Sequence, residues 1–278
     1  MRLLFLVFLL LVTSAPVRAE LALHPSQVNN GEVSVLRWQG EPLSFGVVRF
    51  MDSVIYLYPD SRGAIALLPI GLEVPEGHYP LLVALVDQQG RTTAEELQLH
   101  VGHKERPLEQ LTLPENMVSP DAESLARIDR EGKQLNEIFA LRSPRLWTHF
   151  ERPVDEEVSS VFGKRRLMNG KPRSPHSGTD FRSPDGTPVR SFSNGRVILA
   201  ADLFYTGQTV VVDHGEGLFS LYAHLSEVLV NQGHELLAGD VLGKVGSTGR
   251  STGAHLHLTV RLLAERIDPL ALLAAFRE

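Results

Sequence analysis

The sequence predicts a mostly β protein in two parts, an N-terminal β-sandwich-like domain and a C-terminal antiparallel β-domain, with a connecting helix between them. Three observations predict this. Short β-rich runs alternate with Pro, Gly, Asn and Asp turn signals through residues 20–102. One apolar stripe at helical spacing follows Ser119. From about Phe150 the strand signals return, dense in glycine, with no long helical pattern before the tail at 269–276. A chain of 278 residues is long enough for two cores.

The first element is an export signal. MRLLFLVFLLLVTSAPVRA has an early Arg2, an apolar run over 3–12 and a small-x-small ending, so cleavage is expected after Ala19. The apolar run falls far short of the roughly 20 residues that span a bilayer. No later segment is apolar enough either, so no transmembrane segment is expected after cleavage. A periplasmic or cell-envelope location follows.

Residues 20–102 carry six β-rich runs, at 33–38, 45–50, 54–58, 64–68, 79–86 and 95–101. Leu97, Leu99 and Val101 alternate with polar neighbours, as in a half-buried strand. Strands at this spacing suggest a small sandwich. His24, His78, His100 and His103 are scattered here and read as surface histidines. Residues 103–149 form a helical linker. Ser119 is the expected cap, with Pro120 at the first helical position. Leu125, Ile128, Leu135 and Phe139 make the stripe, and Gly132 within it suggests close packing. Residues 150–278 form the last domain, with strands expected at 189–192, 195–200, 209–212, 218–222 and 255–260.

Composition excludes some function classes. There is no cysteine, so neither a disulfide framework nor a thiolate metal site can exist. Any metal must be held by His and carboxylates. The chain carries 27 Lys+Arg against 33 Asp+Glu, a net charge of −6, with the acidity mostly before residue 151. That balance argues against nucleic acid as a partner.

The chemistry concentrates in three stretches: PHSGTDF with His176 and Asp180, LYAHLS with His224, and GAHLHL with His255 and His257. In a strand, residues two apart share a face. His255 and His257 then face one way, while Leu256 and Leu258 face the core. Imidazoles with one carboxylate suit Zn²⁺, whose catalytic sites take three protein ligands and leave a fourth position open. Each fragment alone is a weak signal; together in one glycine-rich β-domain they are a strong one. By the same period Tyr222 shares a face with His224, either to assist an oxyanion or as a packed aromatic with its hydroxyl at the rim. His214, in VDHGEG, reads as a structural turn residue. Lys164, Arg165, Arg166, Lys171 and Arg173 form a basic run. It is either a solvated loop or a set of contacts to substrate carboxylates beside His176.

These stretches carry a resemblance. FGKRRLMNGKPRSPHSGTDFRSPDGTPV, GRVILA, VVVDHGEGLFSLYAHLSEVLV and GKVGSTGRSTGAHLHLTV, with IDPL near the end, closely resemble the lysostaphin-type (LytM-domain) zinc peptidoglycan endopeptidases. The likeness covers nearly half the chain, and it implies a C-terminal catalytic domain of the lysostaphin type. The 20–102 segment resembles, more weakly, the accessory domain that often precedes it. The resemblance implies one Zn²⁺ per chain, held by His176, Asp180 and His257. It implies His224 and His255 as the catalytic pair, without dividing base from acid. Tyr222, Arg165, Arg166 and Lys171 are the candidate substrate contacts. The implied activity is hydrolysis of peptide cross-links in peptidoglycan by a zinc-activated water, with D-alanyl–diaminopimelate as the expected bond. The implied partners are peptidoglycan stem peptides and, for control, an envelope regulator protein. Ala254 replaces a common proline before HxH, and His234 stands where an acid is common; neither touches the ligand set. A glycine-bridge endopeptidase and a silent activator of a cell-wall amidase are the rival readings. The complete ligand set disfavours the second.

Overall fold

The computed structural model describes residues 20–276. The expected signal peptide, 1–19, lies outside them. Residues 20–102 form two facing sheets. One has the order β1 (Glu20–His24), β3 (Val33–Gln39), β7 (Gly63–Pro69), β6 (Tyr58–Asp60). The other has the order β2 (Gln27–Asn29), β9 (Thr92–Gly102), β8 (Gly77–Asp87), β4 (Leu43–Phe50), β5 (Ser53–Tyr56). Leu36, Leu68, Val48, Leu81 and Leu99 fill the space between them. Five of the six runs read from the sequence are single strands; the run at 54–58 breaks at Leu57 into β5 and β6, which belong to different sheets. The first two strands were missed: β1 is half-buried along its length and β2 has three residues, so neither carries a strong apolar pattern.

The linker begins with a strand. β10 (Leu108–Leu111) pairs in parallel with β12 (Arg165–Met168), which pairs with β13 (Lys171–Arg173). A short helix α1 (Glu115–Val118) follows, then α2 (Ala122–Ala140). The expected Ser119 cap is not used. Asp121 caps α2, its carboxylate accepting the Ser124 N–H at 2.8 Å. The carboxylate sits one residue beyond Pro120 and reaches the free N–H groups of the first turn, so the helix starts there. Phe139 is buried against Phe219 on the outer face of the C-terminal domain. Gly132, by contrast, has open space where a Cβ would stand, so it does not serve close packing.

The C-terminal domain is built on one sheet of ten strands. Its order is β11 (Val158–Ser160), β14 (Thr179–Phe181), β21 (Leu256–Leu262), β18 (Leu218–Val228), β17 (Gly207–Gly215), β16 (Gly195–Leu203) and β19 (Glu235–Leu236). Off this path, β15 (Pro188–Arg190) and β20 (Val241–Val245) pair with each other, β20 also pairs β18, and β22 (Glu265–Ile267) pairs β21. Leu256, Leu258, Val260 and Tyr222 enter one core; Leu221, Ala223 and Phe219 lie on the opposite face under α2. A final helix α3 (Pro269–Ala275), capped by Asp268, packs on β3 of the first domain. Val33, Val35, Ile65 and Leu67 therefore share a core with Trp147 and Leu272 across the domain border.

Candidate active site

Two neighbouring strands bring three acceptor atoms together. β14 carries Asp180 and β21 carries His257, and the two residues stand opposite each other in the ladder. His176, on the loop before β14, swings in beside them. His176 Nε2 lies 3.0 Å from Asp180 Oδ1 and 3.1 Å from His257 Nδ1. Asp180 Oδ1 lies 2.6 Å from His257 Nδ1. All three residues are buried. Gly178 permits this approach: a Cβ there would stand 2.2 Å from the Leu258 carbonyl oxygen and 2.9 Å from His257 Cε1.

The outer nitrogens have partners for the tautomers that a metal site needs. His176 Nδ1–H donates to the Val161 carbonyl at 3.0 Å, which leaves Nε2 as a lone pair. His257 Nε2 meets Thr259 Oγ1 at 2.9 Å, which leaves Nδ1 facing the cluster. Two imidazole lone pairs and a carboxylate oxygen then converge with no proton between them. Such a group repels itself unless a cation sits at its centre. The spacing fits Zn²⁺: bonds of 2.0–2.1 Å at tetrahedral angles put ligand atoms about 3.3 Å apart. Burial raises the Asp180 pKa, but protons carried by the His176 and His257 rings when no cation is bound would outweigh it and hold the carboxyl well below the usual range. Burial likewise pushes His257 down, so its ring is a neutral ligand at neutral pH.

Asp180 has a further support. Its Oδ2 accepts from Arg166 Nη2 at 3.2 Å, and Arg166 Nε donates to Glu109 Oε2 at 2.9 Å. Glu109 Oε1 also accepts from Ser160 Oγ and Lys164 Nζ. Glu109 comes from β10 in the linker. Nothing in a pattern of histidines pointed to it; the cue is geometric and appears only once β10 pairs with β12.

Two more imidazoles stand beside the cluster in a cleft of about 330 Å³. His255 Nδ1–H donates to the Gly253 carbonyl at 2.8 Å, and its Nε2 lies 3.9 Å from Asp180 Oδ1. His224 Nδ1–H donates to the Thr248 carbonyl at 2.8 Å. Each ring thus offers an unprotonated Nε2. The two ring centroids are 4.7 Å apart. Burial first, then the His257 and His255 rings, push the His224 pKa down to about 3, so it is neutral.

Of the residues expected at the site, His176, Asp180, His224, His255, His257 and Arg166 come together. Three do not. Tyr222 is wholly buried in the core, and its hydroxyl accepts the Phe192 N–H at 2.6 Å and bonds Ser220. The expectation that it shares a face with His224 fails because His224 has φ 63°, a left-handed residue that breaks the two-residue alternation of β18. Lys171 is outside the cleft, tied to Glu115 and Ser119 by the hairpin β12–β13. Arg165 alternates away from Arg166 and lines a separate surface hollow beside His103 and Arg106. His214 is structural as expected, bridging Asn194 and Ser220 with no exposure. Arg250, in the loop before GAHLHL, also lines the cleft and, like Glu109, was missed.

The chain is similar to known proteins. The model of peptidase family M23 matches residues 174–269, a span that holds all five histidine and aspartate residues above but neither Glu109 nor Arg166. Peptidoglycan DD-endopeptidase ShyA of Vibrio cholerae is 44% identical over 112 residues, covering 39% of this chain and 26% of that protein. DD-carboxypeptidase/endopeptidase Mpg of Neisseria meningitidis is 33% identical over 144 residues, covering 51% and 31%. The chain therefore spans only about a quarter to a third of the length of these relatives. A crystal structure from Pseudomonas aeruginosa assigned to peptidase M23 matches almost throughout, with TM-score 0.66, 31% identity, and coverage of 90% of this chain and 96% of that one. On the likeness of sequence and whole-chain fold together, the protein belongs to peptidase family M23.

Proposed function

We propose that the protein is an exported zinc endopeptidase that hydrolyses peptide cross-links of peptidoglycan, with the D-alanyl–diaminopimelate amide as its bond. One observation carries the reading: His176 Nε2, Asp180 Oδ1 and His257 Nδ1 converge within 3.1 Å as bare acceptors beside two further bare imidazole nitrogens. The acceptors are the donor set of a catalytic zinc site. The names of the relatives supply the substrate class.

One Zn²⁺ held there supplies Lewis acidity and lowers the pKa of a bound water towards about 7. The chain's own residues do the rest. His255 and His224 present Nε2 as proton acceptors, so either takes the proton of the attacking water. The imidazolium so formed stabilises negative charge on the carbonyl oxygen and returns its proton to the leaving nitrogen as the C–N bond breaks. Arg166 holds the second Asp180 oxygen, which keeps Oδ1 aimed at the cluster. Export rests on the leader at 1–19. The test is to incubate the zinc-loaded protein with purified sacculi and follow muropeptides by mass spectrometry. Conversion of D,D-cross-linked dimers to monomers is expected, and chelator treatment should stop it. Tight zinc binding without any release would leave the silent amidase activator as the better account.

A further inference from the structure

The cleft contains a half-buried cation, Arg250, that nothing in the protein answers; Arg182, which also lines the cleft without a carboxylate, is exposed to solvent. The lining holds two carboxylates, Glu109 and Asp180, and both are engaged by Arg166. Arg250 is left with neither. Among the described residues its guanidinium makes no hydrogen bond and no ion pair. Its one side-chain contact of note is the Tyr205 ring, with Cζ 4.0 Å above the centroid. It is half-buried, and its pKa is lowered by that burial first and also by the Arg166 and Arg173 cations, with Tyr205 opposing them. Arginine keeps its proton regardless. A partly desolvated, repelled cation with an aromatic plate behind it and an open cleft in front is a site prepared for an anion.

Its position is fixed against the catalytic pair. The Arg250 N–H donates to the Tyr205 carbonyl at 2.8 Å, and the His224 N–H donates to the neighbouring Thr206 carbonyl at 2.8 Å. His224 Nδ1 is held by Thr248, two residues before Arg250. Gly249, with φ 70°, lies so close to the Gly207 backbone that a Cβ there would stand 2.4 Å from its nitrogen. The same loop runs on to His255, whose N–H donates to Gly246. His224, His255 and Arg250 thus stand on one wall of the cleft, held by two turns locked together. The imidazoles must reach the leaving nitrogen to protonate it, so the leaving half of the substrate lies along that wall.

We propose that Arg250 is the specificity-determining residue of the cleft. It binds a free carboxylate on the carbon next to the scissile amide nitrogen, so the chain selects peptides whose leaving amine is an α-amino acid with its carboxylate unblocked. The inference rests on the endopeptidase reading above and deepens it. A cross-link made on the D-centre of diaminopimelate has that carboxylate, and so does a terminal D-alanyl-D-alanine. An internal glycine bridge does not.

The test uses the full zinc-loaded chain and four synthetic peptides. The first is a D-alanyl–diaminopimelate link with the leaving-side carboxylate free. The second is amidated there, the third is amidated only at the stem glutamate, and the fourth is a glycine bridge. A hydrogen-bonded ion pair of this kind is worth about 10- to 100-fold in kcat/KM. The wild-type chain should lose that factor on the second and fourth peptides and keep full rate on the third. Arg250→Gln should cut the first peptide as slowly as wild type cuts the second, and should no longer distinguish the two. Arg250→Lys should keep part of the preference, since it keeps the charge but loses the planar fork. Zinc content and unfolding temperature of each variant are measured alongside; the wild-type peptide series does not depend on how a variant folds. Equal wild-type rates on the first two peptides overturn the inference while leaving the endopeptidase reading intact. So does a loss on the third peptide alone, which would place the recognised carboxylate elsewhere. Cleavage of none of the four overturns both readings.

Discussion

His224 concentrates the local strain of the site. Its φ of 63° puts a histidine in the left-handed region, at a cost of about 1–2 kcal/mol for a residue with a Cβ. The strain turns the ring out of the Tyr222 core and into the cleft. Glycine adopts that backbone freely, so His224→Gly should be more stable than His224→Ala by about 1 kcal/mol, the reverse of the usual order. Both should lose turnover by roughly 10²–10⁴-fold while keeping metal. Thermal unfolding and zinc content of the pair check this; an Ala variant more stable than the Gly variant sinks the strain account. The GAHLHL histidines should separate cleanly. His257→Ala should lose zinc affinity, because it removes one of three converging acceptors. His255→Ala should keep its zinc and lose turnover by a similar 10²–10⁴-fold. His214 sets a pH dependence. Burial pushes its ring down to about 4, whereas an unfolded histidine titrates near 6.5. The unfolded chain therefore binds the proton first as pH falls. The stability from the neutral buried ring is complete above about pH 6.5 and drains away towards pH 4, on the order of 3 kcal/mol in all. His214→Gln should flatten the fall in unfolding free energy over that window. The two-residue period was enough to pair His255 with His257 from sequence. It failed for Tyr222 because one left-handed residue changes a strand's faces without any mark in the local pattern.

At the scale of elements, the contact between β14 and β21 decides whether the acceptors meet. The strands are close only because Gly178 has no side chain. Gly178→Ala should push β14 away from the Leu258 carbonyl and open the 2.6 Å approach of Asp180 to His257. Overpacking of this sort costs about 1–3 kcal/mol. A lowered unfolding temperature is expected together with weakened zinc binding, measured by competition against a chromogenic chelator; unchanged affinity would show that the strands can part without moving the ligands. The strands of seven or more residues were legible because they alternate or run apolar for long enough to show a period, whereas β1 and β20, with five each, were not. β11, β13 and β14 have three residues each and were not, since so short a run carries no period. β10 was missed for another reason. It is a parallel pairing made by a linker, with partners 57 residues apart in the Leu108–Arg165 register. Local sequence does not encode such a pairing, and the Glu109–Arg166–Asp180 chain was hidden with it.

For the whole molecule, the two domains are coupled through one apolar cluster rather than strung on a linker. Val33, Val35, Ile65 and Leu67 of the first domain pack with Trp147 and with Leu272 of α3. The Asp268 N–H donates to the Gly31 carbonyl at 2.7 Å across the same border. A shared core predicts one cooperative unfolding transition for the intact chain, where two independent domains would give two. It also shapes how the chain can be cut. None of residues 20–102 lines the cleft, so the chemistry should survive their removal. A cut at 150, the boundary expected from the motif positions, should be more damaging. It would take away β10 and with it Glu109, leaving Arg166 without the carboxylate that holds its Nε, and so loosening its grip on Asp180 Oδ2. A 104–278 fragment should bind zinc and cleave cross-links like the intact chain, while 150–278 should bind zinc more weakly. Both fragments should be less soluble than the intact protein, because the α3 surface, with Trp147 in the longer one, loses its cover. Zinc affinity, muropeptide release and aggregation onset for the three proteins decide it. If 150–278 matches 104–278 in zinc affinity, then Glu109 does not support the metal centre and the linker strand serves the fold alone.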